Sequence, residues 1–144
     1  MLARIRKLMA LGLVLGIIGS ASAYACDLRT DAPYQISGAG TGSVGPFVNG
    51  HVQFNSDGSM TGELYGHWYG HGECTIEWSG TYTNVGTVLA GLTYDADVTA
   101  TGDCLPKDGV KNQLIFIPSN QGNHFGWGTY KANSNIHGDG NIQD

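Results

Sequence analysis

The amino-acid sequence predicts an all-β protein: a small antiparallel meander of six to eight strands that closes into a barrel or folds into a two-sheet sandwich, pinned by one disulfide. Three observations carry this expectation. Apolar and polar residues alternate with period 2 over ten or more positions in several segments, a pattern that a helix does not produce. Glycine is abundant, at 23 of 144 residues, with no collagen-type period, and glycine at that density is best tolerated in turns, bulges and tightly curved strands. No segment beyond residue 23 shows a 3.6-residue apolar period of useful length.

The chain opens with "MLARIRKLMALGLVLGIIGSASAYAC". Arg4, Arg6 and Lys7 precede a short apolar run from Leu8 to Ile18, and small residues follow to Ala21-Ser22-Ala23. That order is expected of a secretory signal peptide, and its apolar core is short for a membrane span. Cleavage is expected after Ala23, with Ala25 as the second choice. Residues 24–144 then form a single β domain, and no integral membrane segment is expected once the leader is removed. The twelve acidic residues all lie beyond the leader, against four basic ones (Arg29, Lys107, Lys111, Lys131), giving the mature chain a formal charge of −8. Four scattered cations cannot build the face that nucleic acid or an anionic membrane requires, so neither partner is expected.

Taken in order, "PYQISGAGTGSVG" (33–45) holds a weak first strand interrupted by glycine. In "FVNGHVQFNSDGSMTGELYGHW", Val48, Gly50, Val52 and Phe54 alternate with Asn49, His51 and Gln53. Asp57-Gly58 then signals a hairpin, because glycine accepts the positive φ such turns need. Met60, Leu64 and Trp68 continue the apolar face. In "ECTIEWSGTYT", Cys74, Ile76, Trp78, Gly80 and Tyr82 share one face; in "LTYDADVTATGDC", Leu92, Tyr94, Ala96, Val98, Ala100, Gly102 and Cys104 do the same. "GVKNQLIFIP" (109–118) is a more continuously apolar strand ended by Pro118, and "GNHFGWGTYKA" (122–132) is another, with Phe125 and Trp127 placed in the core or a cavity wall. The polar tail "NSNIHGDGNIQD" is expected to form a last small hairpin around Asp139-Gly140 or to fray.

Strand parity also selects the disulfide. In an exported protein an even subset of cysteines pairs, and Cys74 and Cys104 both fall on the apolar side of their strands, so they are expected to join. Cys26 is left over. A cut after Ala25 would make it a lipid-anchored first residue, although "AYAC" lacks the leucine usual three residues before such a cysteine. A free thiol, a dimer link or an exchange partner are the other fates.

"YGHWYGHGEC" (65–74) raises the question of a site. On a helix His67 and His71 would share a face and chelate one ion, but Gly66, Gly70 and Gly72 argue against that helix. On a strand the two lie about 13 Å apart, too far for a single ion. No metal or cofactor is therefore assigned. The outward parity instead groups Glu63, Tyr65, His67 and Tyr69, with His71 following, as a ligand-binding surface: aromatics next to a carboxylate can stack on a ring while bonding its polar groups. Packing alone also accounts for these aromatics. Catalytic motifs such as G-x-S-x-G or H-E-x-x-H are absent from the sequence, and no catalytic residue is assigned. The carboxylate pairs Glu73/Glu77 and Asp95/Asp97 fall on polar strand faces, where solvation explains them.

The function expected is that of a secreted or periplasmic non-catalytic binding module for a small molecule, a glycan or a protein partner. One alternative is a surface-assembly protein that self-associates by pairing β-strand edges. Another is a small barrel enzyme with a histidine and a carboxylate as its acid–base pair.

Overall fold

A computed structural model describes residues 27–40, 47–68, 72–88, 91–130 and 136–143. Residues 1–23, where the leader is expected, and Cys26, Tyr69, His71 and Lys131 lie outside the described residues. The strands are β1 (Tyr34–Gly40), β2 (Phe47–Phe54), β3 (Ser59–Trp68), β4 (Gly72–Val88), β5 (Gly91–Gly102), β6 (Val110–Ser119), β7 (His124–Tyr130) and β8 (Ile136–Ile142), with a 3₁₀ turn at Asn120–Gly122. Each pairs antiparallel with its sequence neighbours, and β8 returns to β1, closing an eight-stranded barrel. The barrel, rather than the sandwich, is how this meander hides its edges.

Alternation sorts most strand residues between inside and outside as the sequence predicts; Thr93, on the polar parity of β5, is buried instead. Tyr34, Ile36, Val52, Phe54, Met60, Leu64, Ile76, Leu114, Phe116 and Phe125 are buried. Glu63, Glu77, Asp97 and Lys111 face outward and are exposed. A membrane-spanning barrel needs the reverse, an apolar outer band. No helix among the described residues is long and apolar enough to cross a membrane. Cys74 and Cys104 are joined, with Cα atoms 5.8 Å apart. β5 ends at Gly102, so Cys104 ties the following loop, rather than the strand itself, to the start of β4.

Two expectations are corrected. The described part of the tail makes no hairpin of its own: Ile136–Ile142 is one continuous strand, paired on one side to β1 from Tyr34↔Ile142 to Gly40↔Ile136 and on the other to β7. Its apolar content was too low to show a strand, but the two neighbouring strands supply its hydrogen bonds. Pro118 does not end β6, which runs to Ser119. The ladder to β5 stops at Tyr94↔Phe116, so Pro118 sits where no β5 carbonyl needs a donor.

The two ends of the barrel differ. At one end Phe125 packs its ring against those of Tyr34, Phe54 and Phe116, with centroids 4.7, 5.8 and 5.2 Å away. The segment preceding β1 covers this cluster. Leu28 is buried, Arg29 reaches Asn123 at 2.7 Å, and Tyr94 donates a 2.7 Å hydrogen bond to Asp27. Tyr34 donates to the Gly122 carbonyl. The other end carries the disulfide and smaller side chains.

Burial raises the pKa of Tyr34 and Tyr82, and burial together with the Asp27 carboxylate that accepts its proton pushes Tyr94 up to about 12. An exposed tyrosine in the unfolded chain ionises near 10. The folded state therefore holds these protons longer: their stabilisation is complete below about pH 10 and is lost as the pH rises, for Tyr94 as it climbs toward 12. Alkaline titration followed by circular dichroism should show unfolding in that window, together with tyrosinate absorbance. Tyr94→Phe should make the pH dependence shallower.

Candidate functional site

Inside the barrel there is little room for a ligand. Trp78 and Trp127 meet edge to face with centroids 5.5 Å apart, and the aromatic cluster fills the end beyond them. A void among the described residues, bordered by Val48, Ile76, Ala100, Leu105 and Asn112, measures about 10 Å³, room for about one water.

The outer face of β2, β3 and β4 is different. Register aligns its outward residues into rows. Phe47, His67 and Glu73 form the row nearest the disulfide end; Asn49, Tyr65 and Thr75 the next; then His51, Glu63 and Glu77; then Gln53, Thr61 and Ser79. Neighbours within such a row have Cβ atoms about 4.5–5.5 Å apart, close enough to act on one ligand.

In the first two rows the Phe47 and His67 rings lie nearly parallel, 10° apart with centroids 6.0 Å apart. Phe47 is 41% and Tyr65 48% exposed, large fractions for aromatic side chains. Tyr65 donates its hydroxyl proton to the Glu73 carboxylate, which fixes the ring against the strand. That bond also keeps the phenol protonated beyond its ordinary range, since the carboxylate favours the neutral form. Gln35 secures the β1 side of the face by donating to Asn49 Oδ1 at 2.8 Å. Next to the aromatics lies an open groove of about 520 Å³, bordered by His51, Gln53, Thr61, Glu63, Glu77 and Ser79, with Gly62 and Trp78 also lining it. Nearly every one of these side chains can donate to or accept from a hydroxyl group.

Of the predicted binding residues, Glu63, Tyr65 and His67 stand on this one face, as their common parity requires. Tyr69 and His71 belong to the 69–71 segment between β3 and β4 and lie outside the described residues. Phe47, His51 and Glu73 were not assigned from sequence. They come from the adjacent strands, and only the register shows that they flank β3. Among the described residues no group of three metal-ligating side chains converges. No known family, no curated protein and no solved structure matches this chain.

Proposed function

We propose that this protein is an exported binding module whose outer β2–β4 face takes a glycan and does no chemistry on it. The observation that carries the reading is the aromatic strip of exposed Phe47 and Tyr65 with half-buried His67, set beside a polar groove. A sugar ring presents a face of C–H bonds that stacks on aromatic side chains and an edge of hydroxyls that needs carboxylates and amides, and this surface offers the two side by side. The packed interior and the disulfide, common in exported proteins, support the same picture: a stiff scaffold presenting a site on its surface. Assembly through strand edges is less supported, because every strand of the closed barrel has two neighbours and pairing would first have to open it.

A glycan panel followed by isothermal titration tests the proposal. Tyr65→Ala and Phe47→Ala should each weaken the best ligand by about 10-fold, in line with ~1–2 kcal/mol for an aromatic contact at the centre of a site. Both residues are exposed, so the melting temperature should change little. Binding unaffected by either substitution, or a panel without a single binder, would remove the glycan reading. Binding that is lost only with interior substitutions would point to a ligand inside the barrel.

A further inference from the structure

Far from the β2–β4 face, the rim at the aromatic end of the barrel carries a second group of side chains. Ser119 is the last residue of β6 and faces His124, the first of β7. Asp139 stands on β8, one outward position from Asn141, the residue directly opposite His124. Ser119 Oγ lies 2.8 Å from His124 Nδ1, and Asp139 Oδ1 lies 3.5 Å from Nε2 of the same ring.

A neutral imidazole has one protonated nitrogen and one lone pair. A carboxylate beside Nε2 favours the proton there, leaving the Nδ1 lone pair to accept from the Ser119 hydroxyl. That is the division of roles by which a carboxylate orients a histidine to activate a serine.

The backbone adds a second observation. Immediately after Ser119, Asn120 and Gln121 adopt φ of 49° and 57°. Two successive non-glycine residues in the left-handed region carry a conformational cost, and such strain gathers at functional sites. Its consequence here is a reversal of the chain directly after Ser119, which leaves the hydroxyl on an open rim. The side chains of His124 and Asp139 are 35% and 67% exposed, so a substrate can reach the serine without displacing protein.

We propose that Ser119, His124 and Asp139 form a hydrolytic site for small, unhindered carboxylic esters, independent of the glycan-binding face. Ser119 Oγ attacks the ester carbonyl carbon as its proton passes to His124 Nδ1. The bond to the alkoxy oxygen breaks, and the imidazolium returns the proton to the leaving alcohol. Water then attacks the acyl-serine, giving one proton to His124, and the imidazolium passes that proton to Ser119 Oγ as the acyl–oxygen bond breaks. The carboxylic acid departs and the serine is restored. Asp139 acts as a positioning residue, holding the orientation of the ring from 3.5 Å away.

The test is covalent labelling of the intact protein with a fluorophosphonate probe, which forms a phosphorus–oxygen bond to an activated serine as fluoride leaves, with the adduct mapped by peptide mass. A single adduct on Ser119 is expected, absent in Ser119→Ala. His124→Gln should slow labelling by about 100-fold or more, the usual contribution of a positioned base. Asp139→Asn should slow it as well, with partial recovery in Asp139→Glu. His137→Gln changes an exposed histidine on β8 that is not part of the site and should leave the rate unaltered. Hydrolysis of an activated acetate ester should follow the same order across the variants. No adduct, an adduct on another residue, or a rate indifferent to His124 would overturn the assignment, and circular dichroism of each variant distinguishes those outcomes from loss of the fold.

Discussion

Phe125→Ala should lower the free energy of unfolding by about 3–5 kcal/mol, the range observed when a buried phenylalanine is truncated and its cavity persists. Phe125 is fully buried, and three rings lean on it: Tyr34, Phe54 and Phe116. None of the three can fill the gap without leaving its own contacts. The same ring explains Gly140. A Cβ at that position would come within 2.3–2.7 Å of the Phe125 ring atoms, so Gly140→Ala should cost about 1–3 kcal/mol through overpacking. Gly38 stands in the same relation to Trp127, whose ring would meet an added Cβ at 2.4 Å. Because the two effects at Phe125 share one volume, Gly140→Ala combined with Phe125→Leu should cost less than the sum of the single changes. Chemical denaturation of the four proteins of that cycle measures the coupling, and strict additivity would show that the glycine is not making room for the ring.

Removal of the disulfide should have the next largest effect. Cys74 and Cys104 are 30 positions apart, and closing a loop of that length restricts the unfolded chain by an amount worth about 3–4 kcal/mol. The paired variant Cys74→Ala/Cys104→Ala should lower the melting temperature on the order of 10–15 °C for a domain of this size. The loss should be felt mainly in the 103–109 loop and the start of β4. The barrel ladders do not pass through the bridge, so far-ultraviolet circular dichroism below the transition should match that of the parent. An unchanged melting temperature would mean that the bridge does not restrict the unfolded chain by the amount its loop length implies.

How the chain could be read depended on distance along it. Cys74, Ile76 and Trp78 announced an inward face because alternate residues of any strand point to opposite sides, and the same parity on β5 indicated Cys104 as the partner. The Asp57-Gly58 turn was legible for an equally local reason. Gly58 adopts φ +84°, and Asp57 accepts a 2.9 Å hydrogen bond from the Ser59 N–H. The tail was misread for the complementary reason. "IHGDGNI" has two apolar residues in seven, and nothing within it shows that β1, about a hundred positions earlier, pairs along its whole length.

The candidate sites divide along the same line. Glu63, Tyr65 and His67 were grouped from sequence because one strand sets their common side. Their neighbours Phe47 and Glu73 were set beside them by the ladders to β2 and β4. Ser119, His124 and Asp139 meet only because β7 accepts β8 as its partner. By itself, then, the sequence determined the β class, the two faces of most strands and the cysteine pair, all consequences of the two-residue repeat of an extended chain. Barrel over sandwich, the closing role of Ile136–Ile142 and the side chains that share a surface were decided by tertiary structure, because cross-strand register is a property of two segments at once.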